Sequence, residues 1–261
     1  MSVIDDTQVL VQTPCEALRP FVKRFLIVES TAAHSDAHLP APGLVAAFRF
    51  RGDCRLYDSA PAPRAAITGL WDTLRTHEHS GDHAVFIVAF TPTGAAALLR
   101  PPLEEFANAT EDLEAVLGRS AGLDRLQEEL AGAANHGQRI RFVEEFLLAQ
   151  VSGAQPDPLV DSAVELIERT QAMMRIEELV RRIGLSQSAL ERRFRRQVGA
   201  SPRKFASLVR LQNVLRLREA GADLTTIAHA AGYCDQPHFI RDFKRFAGLA
   251  PGPFFAGSIA G

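Results

Sequence analysis

Between residues 18 and 90 the apolar positions come in short or alternating runs, FVKRFLIVES, LVAAFRF, CRLYD, AAITGL and AVFIVAF. The breaks between them hold Gly43, Gly52, Asp53, Pro61, Pro63, Gly81 and Asp82. Period-two runs bounded by turn formers predict an antiparallel β-rich unit. After TPTGAAALL the period lengthens, and residues 93–150 read as helical, with LDRLQEELAGAA and RIRFVEEFLLAQ the clearest amphipathic pieces. VSGAQPDP, residues 151–158, breaks that pattern with Gly153, Pro156 and Pro158, and a new apolar periodicity starts at Leu159. The chain therefore reads as an α+β domain over residues 1–150, a linker over 151–158 and an all-α domain over 159–261.

The all-α part contains a repeat. IEELVRRIGLSQSALERRFRRQVGASPRKF (176–205) and LTTIAHAAGYCDQPHFIRDFKRFAGLAPGPFF (224–255) each give a short helix, a Gly turn, a second helix with apolar positions four apart, then Gly-x-x-Pro and an aromatic residue. Leu190, Phe194, Gly199, Pro202 and Phe205 stand 49 residues before Phe239, Phe243, Gly248, Pro251 and Phe254. Shared spacing at five positions marks two copies of one unit. In the first copy Ile176, Leu179, Val180 and Ile183 make the apolar face, Gly184 supplies the turn and Ser186 the cap. In the second, Ile227, Ala228 and Ala231 are the buried face, Gly232 is the turn, Asp235 the cap and Pro237 a first-turn proline. Each copy reads as a helix-turn-helix.

Such a unit exposes the face of its second helix that points away from the core. That face carries Gln187, Ser188, Glu191, Arg192 and Arg195 in one copy, and Gln236, His238, Ile240, Arg241 and Lys244 in the other. Arg forks onto guanine, Gln onto adenine, and Ile meets a thymine methyl, so both rows suit the major groove of DNA. Between the copies, SPRKFASLVRLQNVLRLREAGAD reads as a capped rod with Phe205, Leu208, Leu211, Leu215 and Leu217 as its apolar positions. A rod of that length can hold two recognition helices near the ~34 Å spacing of successive major grooves.

Charge sharpens the division. The chain of 261 residues has a formal net charge of -2, yet residues 157–261 hold 16 Lys and Arg against 11 Asp and Glu, while residues 1–156 hold 13 against 20. A basic C-terminal part behind an acidic N-terminal one suits a polyanion-binding module joined to something else. With 46% hydrophobic residues, no apolar run of membrane-spanning length and an acidic N-terminus, a cytoplasmic protein with no membrane association is expected. Cys15, Cys54 and Cys234 show neither a disulfide framework nor zinc-finger spacing.

GLSQSALERRFRRQVGASPRKF, the Arg210-Leu211 step and IAHAAGYCDQPHFIRDFKRFAGLAPGPFF closely resemble the DNA-binding domain of the AraC/XylS family of bacterial transcriptional regulators, over about residues 159–255. The second copy fits nearly the whole family signature, including Ile227-Ala228, Gly232-Tyr233, Phe239, Phe243-Lys244, Gly248 and Pro251. Asn213 stands where the family usually has Ala, and Pro237 where a polar residue is more usual. ALRPFVKRFLIVES and FIVAFTPTGAAALLRPPLEEFANATEDLEAVLG are similar to the N-terminal region of a subgroup of these regulators. The resemblance implies a transcriptional regulator that is not an enzyme, binds double-stranded promoter DNA and meets RNA polymerase. It further implies an N-terminal domain that dimerises the chain or takes a small-molecule effector.

Two constellations in the N-terminal part are candidate chemistry. Phe48, Phe50, Trp71, Phe86 and Phe90 are candidates to line an apolar effector pocket. His77 and His79 alternate in THEHSGDH, with His83 beyond, and this spacing is a metal-ligand pattern of β-barrels. HSDAH, with His34 and His38, is assigned to a loop and no carboxylate has fixed spacing to these histidines, so they read as the rim of a polar hairpin turning at Gly81-Asp82, and no cofactor is expected. The alternative reading is a DNA-binding module fused to a metal-dependent or thiol-based sensor enzyme. An alkyl-transfer sensor would need a four-cysteine zinc site, and no GxSxG, P-loop or GxGxxG is present.

Overall fold

The alternating runs form strands, and the strands pair largely antiparallel. The computed structural model describes residues 7–118, 122–151 and 157–257. Nine strands are present among them: β1 (Thr7–Gln12), β2 (Val22–Ser30), β3 (His34–His38), β4 (Val45–Arg51), β5 (Cys54–Arg55), β6 (Ala65–Thr68), β7 (Arg75–His79), β8 (His83–Phe90) and β9 (Thr110–Asp112). Six build one sheet in the order β1-β2-β8-β4-β6-β9, and three build a second in the order β3-β7-β5. Phe25 and Ile27 of β2, Ala46 and Phe48 of β4, and Phe86 and Val88 of β8 alternate onto one buried face. Period-two patterning thus becomes a core by cross-strand packing.

Helices follow the strands. They are α1 (Leu113–Leu117), α2 (Leu123–Gly132) and α3 (His136–Val151), then α4 (Pro158–Arg169), α5 (Ile176–Ile183), α6 (Gln187–Val198), α7 (Pro202–Glu219), α8 (Leu224–Ala230), α9 (Gln236–Ala247) and α10 (Pro251–Gly257). α3 covers the sheet: Phe146 meets Phe48 edge-on with centroids 6.1 Å apart, and the Glu144 carboxylate accepts the Cys15 amide at 2.6 Å. The chain therefore has the α+β then all-α layout that its periodicities predict.

Four local expectations are corrected. HSDAH is strand β3, not a loop, because its alternate polar residues pair with Arg75–His79. β1 lies where no apolar run marked a strand, held by its ladder to β2. Residues 93–106, read as helical, contain only the 3-10 turns Gly94–Ala97 and Leu103–Phe106, and β9 follows them at the sheet edge. Only Cys54 and Arg55 of CRLYD enter a strand. Residues 152–156 of the expected linker lie outside the described residues, as do residues 119–121 of the expected helical stretch.

The C-terminal helices close on aromatic residues. Phe194, Phe205, Phe239 and Phe243 are wholly buried; Phe243 packs Phe239, Phe254 and Phe255 at centroid distances of 6.0, 5.4 and 5.2 Å. This core continues into the N-terminal part without a gap. Gly199, at φ +84° after α6, abuts the Leu103 carbonyl, where an added Cβ would stand 3.0 Å away, so the αL turn and the close approach both select glycine. Thr93 Oγ1 donates to Asp161 at 2.7 Å, the Leu74 amide to the Phe246 carbonyl at 2.7 Å, and Gln212 Nε2 to the Pro40 carbonyl at 2.9 Å. Lys204 pairs with Asp72.

Phe243→Ala removes the ring on which three others rest. It is expected to cost about 3–5 kcal/mol of stability, read as a lowered urea midpoint in chemical denaturation of the full chain.

Candidate nucleic-acid interface

The two second helices obey the same 49-residue offset to the residue, α6 over Gln187–Val198 and α9 over Gln236–Ala247. The caps set those starts. Ser186 Oγ accepts the Ala189 amide at 3.2 Å and Asp235 Oδ1 the His238 amide at 2.7 Å, each satisfying a donor that helix geometry leaves orphaned. Glycines at φ +75° make both turns, Gly184 and Gly232. The second turn is one residue longer, Tyr233-Cys234 where the first has Leu185, and Tyr233 fills it by donating its hydroxyl to Asp242 at 3.0 Å and lying under Arg210. Burial and the nearby Asp242 carboxylate both push the Tyr233 phenol up, so the ring stays a neutral donor.

Burial fixes which face is free. Leu190, Phe194 and Val198 withdraw one side of α6, and Phe239, Phe243 and Phe246 one side of α9. Gln187, Ser188, Arg192 and Arg195 are exposed on α6, and Gln236, Arg241 and Lys244 on α9. Among the described residues, no ion pair occupies Arg192, Arg195, Arg241 or Lys244, whereas Arg193 pairs with Asp157 at 3.4 Å and Arg245 with Asp242 at 2.7 Å. Three residues of the two rows are less open than the sequence suggests. Glu191 is half-buried and lies 3.5 Å from Gln187 Nε2; His238 stands edge-on to Tyr233 at 5.3 Å; Ile240 packs partly against the core.

α7 is the rod, 18 residues long and so about 27 Å at 1.5 Å per residue. Ser201 caps it and Pro202 occupies its first turn. Phe205, Leu208 and Leu211 are buried as expected, while Leu215 and Leu217 are half-buried and Val214 takes the inner position. Asn213 is buried yet satisfied, donating to Gln171 at 3.3 Å and accepting from Arg216 at 2.8 Å. Asp157, not foreseen from sequence, caps α4 through the Leu159 and Val160 amides; the Asp-Pro step at 157–158 was its signal.

In the N-terminal part Phe48, Phe86 and Phe90 lie in the sheet core, with Phe48 opposite Phe86 in the β4-β8 register and Phe25 5.3 Å from Phe86. Phe50 lies under the Arg139 guanidinium at 4.5 Å. Trp71 stands apart with Arg75, whose guanidinium also covers Tyr57 at 4.4 Å.

The histidines gather, and the carboxylate that the sequence reading missed stands among them. Alternation puts His34, Asp36 and His38 on one face of β3, and His77 and His79 on the same face of β7, with His34 opposite His79 and Asp36 opposite His77. Asp36 contacts His79 Nε2 at 3.2 Å and His38 Nε2 at 3.0 Å; His79 Nδ1 lies 3.3 Å from His83 Nε2. Burial alone would raise the Asp36 carboxyl, but hydrogen bonds from His38 and His79 hold it well below the usual range. Burial works against a charged His79, yet its hydrogen bonds to Asp36 and Cys54 outweigh this and push it up to about 9. His77 is pushed down to about 4 by burial and then by His38, and His83 to about 4 by burial and then by His79.

Two capped helix-turn-helix units on one rod, behind a β-rich domain, define a tandem helix-turn-helix protein. Residues 179–257 match the family profile of a helix-turn-helix domain, and residues 11–112 that of a domain of unknown function, DUF6597. A putative AraC-like transcription regulator of Streptomyces antibioticus is 35% identical over 100 residues, 38% of this chain and 33% of that protein. The HTH-type transcriptional regulator MtrA of Neisseria gonorrhoeae is 31% identical over 91 residues, 34% and 30% of the two chains. The chain spans about a third of the length of the curated relatives it matches. The structure of ToxT from Vibrio cholerae aligns over 96% of this chain and 98% of that one at 12% identity and a TM-score of 0.48. Residues 179–257 thus match a helix-turn-helix domain, and the C-terminal part is similar to AraC-like transcription regulators.

Asp235→Ala leaves the His238 amide without its acceptor. A loss of about 0.5–2 kcal/mol is expected in chemical denaturation, with Asp235→Asn close to the parent.

Proposed function

We propose that this chain is a sequence-specific, DNA-binding transcriptional regulator whose two recognition helices, α6 and α9, enter successive major grooves of promoter DNA. The observation that carries the reading is the pairing of Gln187 with Gln236, Arg192 with Arg241 and Arg195 with Lys244 at one offset, all exposed and, among the described residues, with no ion pair on the four cations. Free guanidiniums at matched positions on capped helices are what base reading needs. Residues 159–261 form the DNA-binding domain, residues 1–150 the regulatory domain and 151–158 the join. Among the described residues no helix is long and apolar enough to cross a membrane. Work on promoter DNA brings RNA polymerase as a further partner, in the cytoplasm.

Regulation comes from the N-terminal domain. The backbone bond from Leu74 to Phe246 and the side-chain bond from Gln212 to Pro40 tie α9 and α7 to it, so an effector that favours one arrangement alters the DNA-competent one. A coupling of about 1–3 kcal/mol, or roughly 5–150-fold in affinity, is the usual scale. β1 is an edge strand with Val9, Leu10 and Val11 exposed, an open ladder that suits pairing with a second copy in a homodimer.

Arg192→Ala and Arg241→Ala are each expected to weaken binding to the selected site by about 1–3 kcal/mol and to relax one base pair, read by fluorescence anisotropy and repeated selection. Equal losses on random duplex would assign these residues to phosphate instead. Val9→Lys with Val11→Lys is expected to turn a dimer into a monomer in light scattering; a parent chain monomeric at micromolar concentration would remove the edge-strand dimer.

A further inference from the structure

We propose that the face shared by β3 and β7 binds one divalent transition-metal ion of the zinc class, held by His34, Asp36 and His79. Register brings the three together: His34 and His79 are direct cross-strand partners, and Asp36 follows His34 by two residues on the same face. Their donor atoms all lie within 4.8 Å of one another, and Asp36 Oδ1 and His79 Nε2 are 3.2 Å apart. Ligands at 2.0–2.1 Å around a tetrahedral ion stand about 3.3 Å from each other, so Asp36 and His79 already have that spacing, and the set closes on an ion with side-chain movement of at most about 1.5 Å. The strands need not move.

The backbone already fixes the tautomer of one ligand. His34 Nδ1 stands 3.2 Å from the Ala32 carbonyl, a contact it can make only as donor, which leaves Nε2 with its lone pair free for a metal. His34 and His79 are stacked at 4.7 Å and 21°, and each offers a ligand atom within 4.8 Å of one from Asp36. Two imidazoles and one carboxylate select zinc or a neighbouring transition ion over calcium or magnesium, which require oxygen donors. Further donors stand at the edge of the site: His83, buried and 3.3 Å from His79, with Nδ1 unpartnered among the described residues, and Cys54, the cross-strand partner of His79 on β5. Asp36, His38 and His77 form an overlapping set. Because both sets need Asp36, one ion per chain is assigned to the set with His34, the histidine whose tautomer the backbone fixes.

The far ends of the same strands lead to the DNA-binding helices. Pro40, two residues beyond β3, accepts from Gln212 of α7, and Leu74, just before β7, donates to Phe246 of α9. An ion that clamps β3 to β7 therefore restrains the two segments that hold the rod and the second recognition helix. In this respect the inference rests on the regulator reading, with the metal ion as its effector.

The test uses the full chain stripped with a chelator. Isothermal titration with Zn2+, and Co2+ as an optical probe of tetrahedral nitrogen and oxygen ligation, should give one ion per chain and a raised melting temperature. His34→Ala and His79→Ala should each weaken binding at least about tenfold, while His229→Ala, remote on α8, leaves it unchanged. Asp36→Asn, checked with the others by circular dichroism, gives a near-isosteric variant should an alanine variant unfold. Wild-type stoichiometry and affinity in folded His34→Ala and His79→Ala, or no Zn2+ binding by the parent at micromolar concentrations, overturns the site. Zn2+ should also change affinity for a duplex selected from a random pool by at least about fivefold in the parent and not in His79→Ala. An ion bound at these residues without that change removes the effector role. Failure to select any duplex removes the regulator reading and leaves the metal titration to decide the site.

Discussion

Guanidinium and amide groups face outward on α6 and α9 because the opposite face of each helix cannot stay in water. Leu190, Phe194 and Val198 on one helix, and Phe239, Phe243 and Phe246 on the other, are withdrawn almost completely. Burying each such side chain contributes about 1.5–3 kcal/mol, far more than the few tenths to one that an exposed ion pair contributes. The rotation of each helix about its axis is thus set by its apolar stripe, and the positions of Arg192 and Arg241 follow. Caps at Ser186 and Asp235 fix where the stripe starts along the chain, so rotation and register are both determined before any DNA is present.

The same core does not stop at the domain boundary. α6 ends against the Leu103 carbonyl at Gly199, and α9 gives its Phe246 carbonyl to the Leu74 amide. The last carbonyls of a helix have no partner within it, so this bond satisfies a group that would otherwise need water. Each of these helices is therefore held at its C-terminal end by the N-terminal domain, while Gln187 and Arg192 on one, and Gln236 and Arg241 on the other, stay exposed. The β-rich domain thus meets each of these helices through a short, direct contact. The second, three-stranded sheet bears on the contact with α9, since Leu74 lies just before β7.

Much of the helix-turn-helix domain was legible in the sequence. Gly184, Gly199, Gly232 and Gly248 all have φ near +73° to +84°, as turn and helix-end glycines do, and Ser186, Ser201 and Asp235 all cap. These signals act within three or four residues, and a repeated one is doubly marked. Ile240 and His238 were misjudged in degree, because how deeply a side chain at the margin of a helical stripe sits depends on neighbours such as Tyr233 that periodicity does not reveal.

The N-terminal domain shows the opposite balance. Sequence alone determined that it is β-rich, since alternation is itself the local signature of a half-buried strand, and it drew His77 and His79 onto one face. It did not determine that HSDAH is a strand, that Asp36 lies opposite His77, or that β1 and β9 close the edges of the larger sheet. HSDAH has no apolar residue but Ala37, so nothing in its own pattern asks for burial. Its conformation comes from hydrogen bonding to a strand some 40 residues further on. Local periodicity, capping and charge are written in consecutive residues and can be read there, whereas strand pairing and the side-chain neighbours it creates exist only once distant segments meet.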